Sequence, residues 1–292
     1  MSSSQFVFDA IGTKWVIDHL PRLDPRVAAF LEKHILELVE GFDQKYSRFR
    51  ADSDVTIWSK KAGEYTLDKD AKEMLDLYRT MYDLTDGAMT PLIGSVISDA
   101  GYDASYSFGE KEIQKPYGWD EAIDYDFPLL TLKKPALLDF GALGKGHLID
   151  LVANYLEEQG IHSYCIDAGG DLLYKNPSFP LSIGLEHPED LSQVIGVVQL
   201  KDQSICASAG NRRKWGKFHH ILDPRTLSSA SHILASWVIA DRAITADALA
   251  TALFLVEPDR LKEKFSFSYL LLYPDFSIKK STDFPGELYY TT

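Results

Sequence analysis

Cysteine is scarce in this chain, and positive charge is in deficit. Only Cys165 and Cys206 occur, each inside an apolar run. That excludes a disulfide framework or a cysteine-built zinc site and leaves two buried thiols acting as small hydrophobes. Lysine and arginine together number 30 against 43 acidic residues, for a formal net charge of −13. Such a chain has no general attraction for phosphate backbones or anionic membranes, so nucleic acid is a poor partner. An anionic ligand needs a local positive site or a bridging cation. No apolar run of about 18 residues is present, so no transmembrane helix is expected. The start, MSSSQFVFDA, lacks the basic and apolar stretches of a signal peptide. The expectation is a soluble protein, cytoplasmic as it stands and extracytoplasmic if a leader has been removed. Internal repeats, low-complexity tracts and linkers are absent too.

What is there suits a globular domain. The 292 residues are 45% hydrophobic, and 15 Tyr with 15 Phe supply enough large apolar groups to rule out long disorder. Residues 6–17 read as a strand interrupted at Gly12-Thr13. Apolar positions at helical spacing (Val27, Phe30, Leu31, Ile35, Leu38, Val39) predict a helix over 25–42, with Asp24 as its cap and Pro25 at its first position. A second helix is expected over 68–84, ending at Thr85-Asp86-Gly87, and a third from Gly144 to a glycine cap at Gly160. Residues 99–127 show no period and read as an irregular surface excursion. Strands are expected near 129–132, 136–139, 162–167, 180–186, 194–201, 232–240 and 269–273, with a helix over 243–256. Strands grouped between helices, without regular alternation, predict an α+β fold with a partly antiparallel sheet.

Four segments have the composition of a site. Leu138–Gly146 (LDFGALGKG) joins a strand to a helix. Its glycines admit close backbone approach, its helix start offers free amides to an anion, and Lys145 adds charge. Asp247 and Thr251 lie four apart among alanines of one helix, so a carboxylate and a hydroxyl share a face and suit a hard cation. His219-His220 precedes the turn Leu222-Asp223-Pro224-Arg225, which places a titratable group near a rigid bend. Asp167–Asp171 (DAGGD) ends a strand in glycines. Each alone has an ordinary reading: a turn, a solvated Asp, a loop histidine, a bulge.

In order, these segments resemble the ApbE-type FAD:protein FMN transferase family. The resemblance also runs through Ile11-Gly12-Thr13, Tyr46-Ser47-Arg48-Phe49 with Asp52-Ser53, Thr85–Pro91 (TDGAMTP), Asp150, Ser208-Ala209-Gly210-Asn211 and His220–Thr226, and so covers nearly the whole chain. It implies a T-fold-like α+β arrangement of two interlocked subdomains, with mixed or antiparallel sheet, forming a single domain over 1–292 with FAD in a cleft. It places Mg²⁺ on Asp247, Thr251 and the carbonyl of Ala142. Flavin contacts fall on Ile11, Gly12, Phe49, Ala88, Met89, Thr90, Lys145 and Leu222. His220 becomes the first proton-transfer candidate, with Asp171 or a metal-bound water as substitutes, and Lys145 a stabiliser of developing charge. The sequence departs from the family pattern at Ile11 (usually Met), at Leu227 (usually Gly, for a turn needing positive φ), at Ala207–Gly210 (usually Thr-Ser-Gly), and in lacking the lipoprotein leader.

The function implied is Mg-dependent transfer of FMN from FAD to a Thr or Ser hydroxyl of an acceptor flavoprotein, releasing AMP. Two rivals remain at this stage. One is an FAD pyrophosphatase of the same fold, giving FMN and AMP; the other is a flavin-binding protein without turnover, which would have no need of the Asp247–Thr251 pair.

Overall fold

Asp24 accepts the Arg26 amide at 2.9 Å and Pro25 takes the first helical position, which starts the helix Pro25–Tyr46 where the sequence places it. That helix runs past Gly41. Its buried line is Leu31, Ile35, Val39, Phe42 and Tyr46, whereas Val27 and Phe30 are exposed. Asp68 accepts the Ala71 amide at 3.2 Å to begin Lys69–Leu84, and Gly160, at φ 77°, follows the end of Gly144–Glu158. The computed structural model describes residues 4–289, so the extreme ends of the unit expected over 1–292 lie outside the described residues.

Residues 6–17 are not one interrupted strand. Ser4–Ala10 and Thr13–Leu20 form a hairpin with Ala10 opposite Thr13, and its two-residue turn has both Ile11 (φ 43°) and Gly12 (φ 78°) in the left-handed region. No strand forms over 136–139 either. The Asp139 amide goes to the Pro91 carbonyl at 2.8 Å, so that segment packs against the short helical turn Pro91–Ile93 and the helix start at Gly94. Leu129–Leu132 does pair, in a small antiparallel sheet between Gly63–Thr66 and Ile123–Asp126, which gives order to the end of the supposed excursion.

The main sheet has eight strands, all antiparallel to their neighbours. In order across it lie Ser4–Ala10, Thr13–Leu20, Tyr164–Ala168, Leu172–Lys175, Gln203–Ala209, Ala235–Ala240, Ser268–Leu272 and Ile278–Lys280. Both faces are covered, and alternation along each strand shows it. Cys165, Ile205, Trp237, Ile239 and Leu270 point into one core. Ile166, Cys206, Val238, Ala240 and Leu271 point into the other. The first core lies under a three-stranded sheet of Leu181–His187, Asp190–Leu200 and Gly286–Leu288; the second lies under the helices. This double burial is why Ala235–Ala240 reads as a continuous apolar run. The free cysteines are buried, one on each side of the sheet. Among the described residues no helix is long and apolar enough to cross a membrane.

Candidate functional site

The helix Gly144–Glu158 crosses the alanine-rich helix Ala243–Ala252 at Gly146. A Cβ on Gly146 would lie 2.6 Å from the Ala243 carbonyl carbon and 2.8 Å from Asp247 Cβ, so only glycine allows this approach. The contact is tied by the Gly146 N–H, a first-turn amide without an acceptor in its own helix, which donates to Asp247 Oδ2 at 2.8 Å. Asp150, one turn further along, accepts the Ala243 and Ile244 amides at 3.0 and 3.1 Å and so caps the alanine helix from outside it. Ser236 fixes the helix to the sheet by donating to the Ala250 carbonyl at 2.7 Å. The small residues near Asp247 thus hold a buried carboxylate at a helix crossing.

Thr251, one turn below Asp247, has its Oγ1 3.4 Å from Ser208 Oγ on the neighbouring strand. Asp247, Thr251, Ala142 and Ser208 border one cavity and offer hard oxygen donors to it. Burial raises the Asp247 carboxyl above its ordinary range, opposed by the Lys145 charge and the Gly146 amide. A buried carboxylate with one amide donor, a hydroxyl a turn away and a backbone carbonyl on the same cavity suit a hard divalent cation. Among the described residues no group of three His, Cys, Asp or Glu side chains has ligand spacing, so a cation here would lean on hydroxyl and carbonyl oxygens.

Lys145 is held. Its ammonium meets Asp171, which is 1% exposed and also accepts the Ala207 amide at 2.9 Å. The turn between them is shaped by Gly169 (φ 71°) and Gly170 (φ 101°) and closed by the Ala168 amide on the Asp171 carbonyl. Asp171 stands behind Lys145, outside the cavity lining.

The remaining walls come from the first half of the chain and from the loop after 210. Thr85 Oγ1 accepts the Met89 amide at 2.8 Å and donates to the Met81 carbonyl at 2.7 Å, which fixes Ala88-Met89-Thr90 at the wall. Arg48 is buried, with Nε 2.5 Å from Asp139 Oδ2 and one terminal nitrogen donating to the Tyr102 carbonyl at 2.6 Å. It braces the LDFGALGKG turn from below. Phe49 stacks on Tyr106, ring centroids 5.3 Å apart at 8°. Arg225 forks onto Asp223 and also donates to the carbonyls of Thr85 and Leu255, so the Asp-Pro-Arg turn clamps two distant segments. Leu227 occupies φ 55° despite its side chain, so the missing glycine has not changed the turn's backbone.

His220 lines the cavity, and its Nδ1 is buried without a partner. Burial, then the charge of Arg213, push its imidazole down to about 3, so it is neutral at neutral pH. His219, beside it, bonds the Ala230 carbonyl at 3.0 Å through Nε2.

The cavity measures about 1120 Å³, just above the ~300–1,000 Å³ usual for ligand sites. Ile11, Gly12, Phe49, Ala88, Met89, Thr90, Ala142, Lys145, His220, Leu222, Asp247 and Thr251 all line it, so every expected site residue except Asp171 faces one space. Sequence reasoning missed Tyr106, Ser182–Glu186, Arg212, Arg213 and Trp237, which also line it. The adjacent arginines were a visible signal; the others carried none.

The model of the ApbE family matches residues 11–267. A Vibrio cholerae protein named FAD:protein FMN transferase is 24% identical over 268 residues, covering 86% of this chain and 80% of that protein. A Haemophilus influenzae protein of the same name is 26% identical over 290 residues, covering 90% and 83%. Among solved structures, the ApbE protein of Thermotoga maritima superposes with a TM-score of 0.81 at 22% identity, covering 96% of this chain and 97% of that one. The flavin transferase ApbE of Vibrio cholerae gives 0.78 at 20% identity, covering 96% of each. At such identities the superpositions show a shared fold.

Proposed function

The chain belongs to the ApbE family, and from that premise we propose that it is an FAD:protein FMN transferase acting as one domain. It moves FMN from FAD to a Thr or Ser hydroxyl of an acceptor flavoprotein and releases AMP. The observation that carries the reading is the gathering of the expected metal, diphosphate and flavin residues, from Ile11 to Thr251, around one cavity of dinucleotide scale. Asp247, Thr251 and the Ala142 carbonyl would hold Mg²⁺, which supplies a Lewis acid for the diphosphate when bound.

The protein's own groups account for the rest. Ile11, Phe49, Met89 and Leu222 provide apolar surface suited to an isoalloxazine ring. The glycine turn before Gly144 lets the diphosphate approach a helix start whose Gly144 and Gly146 amides are already engaged by the Phe140 carbonyl and Asp247, which leaves the charge there to Lys145. Lys145, aimed by Asp171, brings a directed charge to the transferring oxygens. The acceptor oxygen bonds to the FMN-side phosphorus as the bond to the AMP phosphate breaks. The hydroxyl proton passes to His220, where Nδ1 is unpartnered. A neutral imidazole has the lone pair this needs, and the anionic diphosphate beside it would offset the burial that lowers its pKa.

Incubating the protein with FAD, Mg²⁺ and a candidate acceptor tests this. Flavin fluorescence on the acceptor band is the expected result; release of free FMN alone makes the protein a hydrolase, and unchanged FAD makes it a binder.

A further inference from the structure

The charges bordering the cavity sort into pairs with one cation left over. Five cationic side chains line it: Arg48, Arg50, Lys145, Arg212 and Arg213. Four are already matched. Arg48 lies on Asp139 at 2.5 Å, Arg50 on Glu40 at 2.7 Å, Arg212 on Glu186 at 2.6 Å, and Lys145 on Asp171. Among the described residues, Arg213 alone of the five has no carboxylate within 4.0 Å. It is also exposed, so its guanidinium is free to meet an incoming group.

Its position is set by the site. The His220 amide donates to the Arg213 carbonyl at 3.1 Å, tying this loop to the residue with the unpartnered buried nitrogen. Arg213, His220 and Asp247 line the same cavity, so the guanidinium and an incoming anion share one space. Lys145 cannot serve alone as the counter-charge for a ligand anion, because the buried Asp171 already neutralises it. In a chain of net charge −13, a diphosphate entering this cavity finds one protein cation whose charge is not spoken for.

We infer that Arg213 is the residue that recognises the diphosphate of the bound dinucleotide, its planar fork donating to phosphate oxygens. The inference rests on the transferase reading and deepens it: Lys145 is a pre-aimed part of the site, and affinity for the phosphates comes chiefly from Arg213.

The test is titration of wild type, Arg213→Gln and Arg213→Lys with FAD, ADP and riboflavin in excess Mg²⁺, with thermal denaturation of each. Arg213→Gln should bind FAD and ADP about 10- to 100-fold more weakly, the effect of losing charge-assisted hydrogen bonds. Riboflavin affinity should be unchanged, Arg213→Lys intermediate, and the melting temperatures alike. Unaltered FAD affinity in Arg213→Gln overturns the inference, and so does an equal loss for riboflavin, which would mean a distorted pocket. If wild type binds no FAD, the transferase reading itself falls; if it binds FAD and the glutamine variant matches it, only the role of Arg213 falls.

Discussion

Gly146→Ala is the sharpest perturbation of this site, because one methyl group meets backbone on the facing helix. The added Cβ would lie 2.6 Å from the Ala243 carbonyl carbon, with the carbonyl oxygen nearer still, and ordinary contact begins at 3.4 Å. Neither neighbour is the tip of a flexible side chain, so the two helices must separate by about an ångström. Overpacking of this kind costs about 1–3 kcal/mol, which in a chain of this size lowers Tm by roughly 2–4 °C per kcal/mol. The functional cost is larger. Asp247 sits at the crossing and loses its Gly146 donor geometry, and a displacement of about 1 Å in a reacting constellation costs on the order of 100-fold in rate. Gly41→Ala is the control. It lies within the helix Pro25–Tyr46 with nothing within 4 Å of its added Cβ, so it should gain about 0.5–1 kcal/mol and leave transfer unchanged. Calorimetry should give shifts of opposite sign for the two variants, and flavin-transfer rates should fall in Gly146→Ala alone. A Gly146→Ala protein with wild-type Tm and rate would show that the helices are not in the contact described.

Asp247→Asn keeps shape and an acceptor for the Gly146 amide, so the variant should fold and lose Mg²⁺-dependent transfer; near-normal activity would place the metal elsewhere. Lys145→Ala leaves Asp171 buried without its cation and should cost on the order of 3 kcal/mol, largely recovered in Lys145→Ala with Asp171→Asn. Strict additivity in a urea-denaturation cycle would refute that coupling. As pH falls below ~6.5 the unfolded chain protonates His220 while the folded site, near 3, resists. His220→Gln should therefore lose less stability than wild type between pH 7 and 5, by on the order of 2 kcal/mol; identical pH slopes would show that the imidazole is hydrated.

The elements legible in sequence were those with local signatures. Asp24-Pro25, Asp68 and Gly160 mark helix ends by chemistry that acts within one turn, and the Asp247–Thr251 pair follows from helical geometry alone. Less legible were features decided by distant partners. The hairpin at Ile11-Gly12 puts a β-branched residue at positive φ, which no turn rule suggests. The strand Gln203–Ala209 escaped notice because both its faces are buried, erasing the alternation that marks a half-exposed strand. Leu137 and Leu138 read as strand because they are apolar, yet their segment is held by the helical turn Pro91–Ile93 and Gly94. The pairing of Lys145 with Asp171 is a product of tertiary structure, so the sequence shows two charges but not that they cancel.

The sheet order also bears on how the protein is made. The last residue lining the cavity is Leu255, yet Ala235–Ala240 pairs along five residues with Ser268–Leu272, a wholly buried strand that comes later. During vectorial synthesis the site is therefore chemically complete before it is physically complete. Until that strand emerges, one side of Ala235–Ala240 is an open edge, and Trp237 and Ile239 lack their cover. The C-terminal strand thus closes the sheet behind the site only after every residue lining it has been made.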